Sequence, residues 1–580
     1  MPRANDAVAA LLEELADLMA ITGGADPFKI RAYEKAARAV AGYHADLDTL
    51  DAAEIGKIPN VGRSISSKIV EYQETGAIAS LEELRGQIPP GARKLIDIPG
   101  LGPKKAIVLA KELGVSSIDE LTHAIDAGRL DGLPGFGPKT AQNILHGIEL
   151  LRRNEGRVLV DTAMGVAEEI VAALSEVEGC VECTYAGSLR RVRDTIGDVD
   201  ILAAAADSGP LMEAFVRLPV ASEVIASGPT KTSIRTRRGL QVDLRVVAPE
   251  AWGAALQYFT GSKAHNIRVR EIAVHKKLKL SEYGLFDAES GELLVSKTEQ
   301  EVYERLGLQW IPPTLREDRG EVDAARRGEL PRLVTVKDIR GDLHTHTDLT
   351  DGVSPLPKMV AAATARGLDY YAVTDHAPNL AMQRMTTEKM LAQREEVRAL
   401  QADPTTGDLV LLHGSELNIS PDGEVDWDGD FLAGFDLCVA SVHSHFTQST
   451  REQTQRLVRA CENPYVTIIG HPRARLIGKR PPIDADWEAV FEAAAATGTA
   501  MEVNSFPDRL DLSDELILRA KRAGVKFAVD TDAHSTRHMF NLRFGIGTAQ
   551  RGWLTTDDVI NTWSIERLRE FISAKRAFAR

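Results

Sequence analysis

The chain has 580 residues, of which 44% are hydrophobic and 26% are charged, and its formal net charge is −15. That length exceeds what a single hydrophobic core organises, so we expect several folding units. The composition is that of a globular protein. No run of about 18 uncharged apolar residues is present to span a bilayer, which excludes an integral membrane protein.

The N-terminal apolar stretch and the cysteines indicate the compartment. Glu13, Glu14 and Asp17 interrupt that stretch, which a secretory signal would not tolerate. The four cysteines are too few for a disulfide framework. Cys180 and Cys183 form a Cys-x-x-Cys pair, but a zinc site would lack half its ligands, so buried thiols are the favoured interpretation. We therefore expect a cytoplasmic protein.

The first part of the chain has the apolar spacing of a buried helix face, and we predict helical domains over residues 1–85 and 86–155. A short motif recurs within them, which is an internal repeat. Its three copies are Ile58-Pro59-Asn60-Val61-Gly62, Ile98-Pro99-Gly100-Leu101-Gly102 and Leu133-Pro134-Gly135-Phe136-Gly137.

Each copy combines glycines with the start of a helix, which lets backbone N–H groups approach a phosphate oxygen. One copy alone is equally consistent with an ordinary turn between helices. Three copies followed by Lys68, Lys104 and Lys139 favour nucleic-acid backbone binding. The candidate backbone contacts in the motif are Gly62, Gly100, Gly102, Gly135 and Gly137.

Basic residues crowd the middle of the chain, although the net charge is acidic. A single cluster of this kind is usually a solvated face, whereas several together are able to line a channel for phosphates. The clusters are Arg190, Arg191 and Arg193; Arg235, Arg237 and Arg238; and Lys263, Arg268, Arg270, Lys276, Lys277 and Lys279.

A domain over residues 156–252 alternates as strands do, at 184–187, 199–204 and 240–247. Asp198 and Asp200 lie two apart on one predicted strand, so both carboxylates point to the same face. Asp243 on another strand would complete a site for two Mg²⁺ ions about 4 Å apart. Ser188 and Arg191 would then cradle the phosphates of a nucleotide. Asp-x-Asp alone is a weak signal and usually marks a solvated edge.

The rest of the chain divides into three further segments. Residues 253–318 combine helices with a small sheet, and the charged residues 319–338 are typical of a linker. Residues 339–580 alternate apolar strands with helices, which predicts a parallel α/β sheet or barrel. The strands are predicted at 370–373, 409–412, 437–442, 466–469, 499–503 and 526–529, and one helix at 514–523.

Histidines and carboxylates are dense in this last domain and fall at the ends of its predicted strands. A lone histidine is usually structural, but six at strand ends or in His-x-His and Asp-x-His pairs are hard to explain without metal. The candidate ligands are His344, His346, Asp351, His376, Glu416, His443, His471, Asp532 and His534. Mixed imidazole and carboxylate ligands suit Mn²⁺, Zn²⁺ or Fe²⁺ better than Mg²⁺.

From the N-terminus to about residue 317, the chain resembles the family X DNA polymerases. The resemblance lies in Gly187-Ser188-Leu189-Arg190-Arg191, Gly197-Asp198-Val199-Asp200, the distant Asp243, Tyr258-Phe259-Thr260-Gly261-Ser262 and the helix-hairpin-helix repeats. It implies a nucleotidyltransferase palm over 156–252 and a thumb-like domain over 253–318. Its implied substrates are dNTPs and gapped or nicked DNA, and its implied cofactor is Mg²⁺ or Mn²⁺.

The same resemblance implies roles for further residues. Tyr258, Phe259 and Gly261 would pack against the incoming sugar, Asn266 would contact the nucleotide, and Gly187 and Gly197 would flank it. Lys68 would form a Schiff base with an abasic sugar, with Lys29 and Tyr33 supporting the 5′ side of the gap. Lys263 and Gln241 depart from the family pattern near the incoming base and the third carboxylate, which puts base preference in doubt.

Residues 339–580 resemble the polymerase and histidinol phosphatase (PHP) domain, a distorted (β/α)7 barrel that holds three metal ions. Every ligand position of that family has a match here, so the resemblance implies an active phosphoesterase with three Mn²⁺, Zn²⁺ or Fe ions. We expect Arg473 and Arg509 to grip the substrate phosphate.

The sequence thus predicts a multidomain α+β and α/β protein, a monomer associated with the nucleoid. It would fill short gaps with one domain set and act with the other as a 3′-5′ exonuclease, an abasic-site endonuclease or a 3′-end phosphoesterase. Two alternatives stay open. In the first, the barrel is a small-molecule phosphatase fused to a polymerase. In the second, the whole chain is a scaffold that binds DNA breaks and whose active sites have decayed.

Overall fold

The computed structural model describes residues 4–578, apart from residues 23–25, 42, 44, 88–91, 93–94, 97, 99–100, 155, 238 and 381–384. Gly100, Arg238 and the side chain of Lys104, named above, lie outside the described part. Among the described helices, none combines the length and apolarity that crossing a membrane requires.

The N-terminal segment folds as a helical unit around its own core. Leu12 and Leu15 of the first helix meet Tyr33 of the second and Ile65 and Ile69 of the hairpin helix, all of them buried. This pairing follows from the 3.6-residue apolar spacing that the sequence displays. The helices are Ala4–Thr22, Pro27–Ala41, Ala52–Ile55, Arg63–Thr75 and Ala79–Gln87, with a 3-10 turn at Leu47–Thr49.

A second helical unit has a separate core in which Leu109, Leu121 and Ile144 are buried. Ser117 caps its middle helix by accepting a hydrogen bond from the Glu120 backbone N–H. Its helices are Pro103–Glu112, Ile118–Asp126 and Pro138–Asn154.

The domain predicted to be the palm, and called the palm below, is a mixed sheet of five strands, β2 Glu182–Tyr185, β4 Asp198–Ala204, β5 Ala221–Ser227, β6 Lys231–Thr236 and β7 Gln241–Val247, with the short pair β1 Val158–Leu159 and β3 Thr195–Ile196 beside them. The strand order in the sheet is β2-β4-β7-β6-β5. Strands β4 and β7 lie parallel at its centre, and their inward side chains are apolar and buried. The helices are Val160–Ser175, Gly187–Arg190 and Gly209–Val216, with a 3-10 turn at Pro249–Ala251.

The next unit packs helices on a small antiparallel sheet, β10-β9-β8. Residues 319–338, expected to be a linker, are not an extended connection. Val322 and Ala325 are buried in the core of this unit, while Val334 is buried in the core of the following barrel. The elements are Trp252–Thr260, Lys263–His275, β8 Leu278–Ser281, β9 Gly284–Asp287, β10 Leu293–Val295, Glu299–Arg305 and Glu321–Arg327, with 3-10 turns Pro313–Leu315 and Val336–Asp338.

The C-terminal domain is a seven-stranded parallel sheet in sequential order from β11 to β17. An isolated parallel bridge between Thr345 and Ala533 joins the segments that follow its first and last strands, so the sheet curls toward a barrel. Strands such as β12 and β15 are buried along their whole length, as parallel strands covered by helices must be. The strands are β11 Gly341–Asp342, β12 Tyr370–Val373, β13 Val410–Asn418, β14 Leu437–Ser441, β15 Val466–Ile469, β16 Ala500–Glu502 and β17 Phe527–Ala528. The helices are Leu356–Ala365, Thr387–Gln401, Gly429–Leu432, Thr450–Glu462, Trp487–Thr497, Asp514–Arg522, Leu542–Arg551 and Ile565–Ala577, with 3-10 turns Pro404–Thr406, His538–Asn541 and Ile560–Thr562.

The barrel helix Leu542–Arg551 docks against the palm through a buried ionic network. Arg551 donates to Glu317 at 2.8 Å and to Asp514 at 2.6 Å, and only 4% of its side chain is exposed. Glu317 also accepts a hydrogen bond from Arg191 of the palm. Although burial alone would raise it, Arg551 and Arg319 lower the pKa of Asp514 to about 2. The network therefore ties three segments of the chain together.

We expect Arg551→Ala to destabilise the protein by about 1.5–3 kcal/mol, because Glu317 and Asp514, whose side chains are 14% and 16% exposed, lose a charged partner while keeping Arg191 and Arg319. Arg543 supplies a matched control on the same helix. It pairs with Glu168 of the palm at 2.8 Å, but both side chains are nearly half exposed, so Arg543→Ala should cost no more than about 1 kcal/mol. Denaturant unfolding of the two variants measures the difference. Equal costs would contradict the role of the buried network.

Candidate active sites

The palm brings two of its predicted acids into register. Strands β4 and β7 pair in parallel so that Asp200 lies opposite Asp243, while Asp198 lies opposite Gln241. Among the described residues, however, the three carboxylates do not converge closely enough to form a metal-sized group. The Asp243 carboxylate instead contacts the Lys231 ammonium at 2.5 Å and accepts a hydrogen bond from Gln241 at 3.0 Å. Lys231 thus occupies a position that a cation would take.

Electrostatics at the palm favours a cation. Burial, followed by the nearby charges of Asp198 and Asp243, raises the pKa of Asp200 to about 6. A divalent ion would relieve that repulsion. Gly187 adopts a φ of +59°, and a Cβ there would lie 2.3 Å from Asp200 Oδ2. Only glycine therefore lets the turn approach this carboxylate. The oxygen donors present fit Mg²⁺ or Mn²⁺.

The two arginines of the Gly187–Arg191 motif, Arg190 and Arg191, contact different partners. Arg190 makes a bidentate pair with Glu299, with both distances at 2.9 Å. Arg191, predicted to cradle phosphates, donates to Glu317 at 3.0 Å and to the carbonyl oxygen of Thr260 at 2.6 Å. It is therefore held at the turn that follows Trp252–Thr260.

The same turn gathers the residues implied to select the nucleotide. A Cβ on Gly261 would lie 3.2 Å from the Arg191 guanidinium, so the turn and the arginine are neighbours. Asn266 donates to the carbonyl oxygen of Tyr258 at 2.7 Å, and the Tyr258 and Phe259 rings meet edge to face at 5.1 Å. Two further predicted residues lie on the palm side, Ser188 in helix Gly187–Arg190 and Gly197 beside the Arg157 guanidinium.

The hairpin glycines lie directly before helices, as the motif predicts. Gly62 and Gly102 are the N-cap residues of Arg63–Thr75 and Pro103–Glu112, and Gly137 precedes Pro138–Asn154. A Cβ on any of these three glycines would meet nothing within 4 Å, so their backbone is open to an external ligand. Asn60 and Gly135 occupy equivalent positions in two copies, and both have positive φ.

The first hairpin borders a cleft that contains three of the predicted DNA contacts, Lys29, Tyr33 and Gly62. Tyr33 is 1% exposed, and within the described part of the chain its hydroxyl has no hydrogen-bond partner. Lys68 lies on helix Arg63–Thr75, one turn beyond Ser64, which lines the cleft. In the third copy, the Lys139 ammonium donates to the Thr447 carbonyl of the barrel.

The barrel places its predicted ligands where parallel strands end. His344 and His346 follow β11, His376 follows β12, and Glu416 lies near the end of β13. Three more strands supply four others, because His443 follows β14, His471 follows β15, and Asp532 and His534 follow β17, while Asp351 lies in the segment between β11 and helix Leu356–Ala365. The carboxyl ends of a barrel's strands form one face, so all these side chains converge.

The convergence produces three groups whose donor atoms all lie within 4.8 Å of one another. Glu416 is central, because its two oxygens lie 2.9 Å from His376, 3.1 Å from His443 and 3.0 Å from His471. Asp351 lies 3.3 Å from both His376 and His534, and Asp532 lies 3.2 Å from His346. The groups are His346, Asp351, His376 and His534; His344, His346 and Glu416; and His376, Glu416 and His443.

These residues fit metal ions. Ligand atoms bound at about 2.1 Å to one metal lie roughly 3.0–3.4 Å apart, which is the spacing observed. The His344 and His346 Nε2 atoms face each other at 3.2 Å. Burial alone would lower the pKa of His344, yet Glu502, Asp532 and Glu416 raise it well above its usual value. The buried carboxylates therefore require positive charge, which divalent cations would supply.

Sequence reasoning missed residues that orient these ligands. Glu502 accepts from His344 Nδ1 at 2.7 Å and from the backbone N–H of His471 at 2.5 Å. Asn504 donates to Glu502 at 3.1 Å and to Asp532 at 3.0 Å, and Asn418 contacts His443 Nδ1 at 2.7 Å. Such outer hydrogen bonds fix the ring and tautomer of a ligand histidine. The available signal was a polar residue at the end of an apolar strand.

The structure also places the two arginines predicted to contact the phosphate and the Cys-x-x-Cys pair. Arg509 lies 3.4 Å from Asp532 at the ligand set, whereas the backbone of Arg473 donates to Asp511 at 2.8 Å. Cys180 and Cys183 are free and partly buried, and burial raises the pKa of Cys183 to about 12.

Family models match four parts of the chain. They are a helix-hairpin-helix domain at residues 3–78, a SAM-like helix-hairpin-helix tandem at 92–149, the DNA polymerase beta thumb at 255–317 and the PHP domain at 342–506. The matches follow the chain order of the hairpins, the turn after helix Trp252–Thr260 and the histidine-rich barrel.

Relatives of parts of the chain, and one relative of nearly the whole chain, agree with these models. A DNA polymerase lambda of Rattus norvegicus is 25% identical over 53% of this chain and 55% of its own. A probable phosphatase of Thermoanaerobacter sp. (strain X514) is 28% identical over 40% of this chain and 95% of its own. The DNA polymerase/3′-5′ exonuclease PolX of Bacillus subtilis (strain 168) is 36% identical over 97% of this chain and 98% of its own. The chain therefore belongs to the family X DNA polymerases that carry a C-terminal PHP domain.

Proposed function

We propose that this enzyme fills short gaps during DNA repair with its polymerase part and trims DNA with its barrel. The observation that carries the proposal is the coexistence of two different sites in one chain, an oxygen-only palm and an imidazole-rich barrel. The trimming would be 3′-5′ exonuclease action, abasic-site cleavage or removal of 3′-end phosphoesters. The relative PolX is named for both polymerase and 3′-5′ exonuclease activity.

In the palm, we assign Asp198, Asp200 and Asp243 to two Mg²⁺ or Mn²⁺ ions. When bound, such ions lower the pKa of the primer hydroxyl and hold the triphosphate. Asp243 would exchange its contact with Lys231 for the ion. Arg191 would leave Glu317 for a phosphate oxygen, since guanidinium groups recognise both with the same geometry.

In the barrel, we assign the nine predicted ligands to three Mn²⁺, Zn²⁺ or Fe ions. Bound metals of this kind supply a hydroxide at neutral pH and polarise the phosphoryl oxygen. Glu502, Asn504 and Asn418 hold the ligand side chains in place. Arg509 would contact the substrate phosphate from its position beside Asp532.

The DNA partner would be gapped or nicked duplex, gripped by the hairpins without base readout. We assign residues 1–85 to the 5′ side of the gap, 86–155 to a helical fingers-like domain with two hairpin motifs, 156–252 to the palm, 253–318 to the thumb and 339–580 to the barrel. Lys29 and Tyr33 would hold the 5′-phosphate, and Lys68 would form the Schiff base. We place the enzyme as a monomer in the cytoplasm, at the nucleoid.

The match to a probable phosphatase favours a second candidate for the barrel, hydrolysis of small phosphoesters. Activity on free sugar phosphates with none on DNA would select that function. Activity on DNA ends would exclude it as the main role.

Gap filling on one duplex with and without a 5′-phosphate tests the proposal. We expect faster filling with the phosphate, because the first hairpin presents open amides beside Lys29. Borohydride should trap an adduct with an abasic sugar in the parent and not in Lys68→Ala. Equal rates on the two gaps would contradict the phosphate pocket, and an adduct that persists would move the lyase role to another residue.

A further inference from the structure

A cleft of about 300 Å³ separates the N-terminal helical unit from the barrel. We propose that it binds the sugar-phosphate backbone of the DNA strand that the barrel hydrolyses, with Lys35 and Lys358 as its cationic contacts. The inference rests on the proposed action of the barrel on DNA. It adds a binding site that is built by two domains.

The cleft leads to the ligand set of the barrel. One wall is the N-terminal unit, with Lys35 of helix Pro27–Ala41 and Pro59 and Asn60 of the first hairpin, and the other is the barrel segment 348–358. Asp351 lines the cleft and also lies 3.3 Å from the Nε2 atoms of His376 and His534. A strand in the cleft would therefore reach the groups assigned to hydrolysis.

The two walls are packed together. Val353 of the barrel segment packs against the core of the N-terminal unit. A second contact between the two units joins Lys479 of the barrel to Glu13 of the first helix at 3.5 Å. The N-terminal unit thus forms one wall of the barrel entrance.

Charge explains why the entrance needs lysines. Asp348 and Asp351 line the cleft, so a phosphodiester approaching them would be repelled. Lys35 and Lys358 lie on opposite walls and are exposed, and in the described part of the chain neither has an ion-pair partner. Lysine is a flexible point charge that suits backbone contacts without base readout.

The cleft also continues the path of DNA along the first hairpin. Asn60 lines both this cleft and the neighbouring cleft of Lys29, Tyr33 and Gly62. A DNA strand bound at the hairpin would therefore reach the barrel entrance by passing Asn60, the residue that the two clefts share. A small phosphoester would not bridge the two clefts, which favours a polymer over a free metabolite.

The test compares Lys35→Ala, Lys358→Ala and the double variant in the full-length enzyme. Two substrates are used with Mn²⁺, a labelled single-stranded oligonucleotide and bis(p-nitrophenyl) phosphate. We expect the ratio of oligonucleotide to small-diester kcat/KM to fall about 5- to 10-fold per lysine. The slope of log(kcat/KM) for the oligonucleotide against log[salt] should become shallower by about 0.7 per lysine, because one phosphate contact is lost.

A matched control and a metal-free measurement make the result specific. Lys337→Ala removes an exposed lysine that lines neither cleft, and it should change neither the ratio nor the slope. Lys35→Arg should restore both, because it keeps the charge. Oligonucleotide binding measured by fluorescence anisotropy in EDTA should show the same loss of slope.

The outcomes separate the inference from the function on which it rests. Unchanged ratio and slope in both lysine variants would overturn the cleft site. Equal losses on both substrates with an unchanged slope would also overturn it, since the lysines would then act on the fold or the ligand set. If lysine-dependent binding were seen but the parent cleaved no DNA, the barrel's proposed activity would fail while the cleft stood.

Discussion

Asp243→Ala should abolish nucleotide addition, with a loss of more than about 100-fold in the rate of primer extension. Mutating a residue that only hydrogen-bonds to a metal ligand typically lowers metal affinity or activity by about 10- to 100-fold, so removing a direct ligand should lower activity more. Asp243 lies opposite Asp200 on the neighbouring parallel strand. Among the described pairs between these two strands, no other places two carboxylates opposite each other. Primer extension on gapped duplex under single-turnover conditions measures the effect.

Glu223 supplies the matched control for this change. It is an exposed carboxylate on the edge strand β5 of the same sheet, paired with Arg235 at 3.4 Å. Glu223→Ala should leave extension within a few-fold of the parent, and DNA binding should survive in both variants. An Asp243→Ala rate within a few-fold of the parent would show that the triad is misassigned.

Replacing His344 and His346 together by alanine should reduce DNA hydrolysis by orders of magnitude while gap filling continues. The change removes two buried imidazoles, His346 from two of the three groups and His344 from one, so the hydroxide-supplying cluster would be lost. The palm uses carboxylates on a separate sheet and should be unaffected. Release of labelled nucleotides from a 3′ end in Mn²⁺ measures the loss.

His445 is the control for this pair. It is exposed in the segment that follows β14, two residues after the ligand His443, and belongs to none of the three groups. His445→Ala should keep hydrolysis within about threefold of the parent, because its exposed ring makes a hydrogen bond only with the neighbouring Ser444 among the described contacts. Hydrolysis that survives loss of His344 and His346 would mean that another cluster does the chemistry.

The sequence predicted the barrel strands well where they are buried runs. The predicted strands at 370–373 and 466–469 coincide with β12 and β15, since a fully apolar run bounded by turns has few other interpretations. Strand β11 was missed, because two residues, Gly341 and Asp342, carry no periodic signal. Residues 319–338 were expected to be a linker, but Val322 and Ala325 are buried in a core. The high charge content of this segment masked the apolar face of a short helix in the sequence.

The convergence of the candidate ligands was predictable from residue types, but their supporting contacts were not. Histidines at successive strand ends indicate a metal site because few other roles suit them. Glu502 looked like one polar residue in an apolar strand, and only the fold shows it beneath His344. The pairings of Asp243 with Lys231 and of Glu317 with Arg551 depend on tertiary structure, which spacing along the chain does not reveal.

The most direct test of two independent active sites uses one labelled primer on gapped DNA with two double variants. They are Asp198→Ala with Asp200→Ala, and His344→Ala with His346→Ala. Each is assayed with and without nucleotides, in Mg²⁺ and in Mn²⁺. We predict that the aspartate variant trims but does not extend, and that the histidine variant extends but does not trim. If the histidine variant still trims and the aspartate variant does not, degradation belongs to the palm, for instance by reversal of synthesis with pyrophosphate, and the assignment of the barrel is wrong.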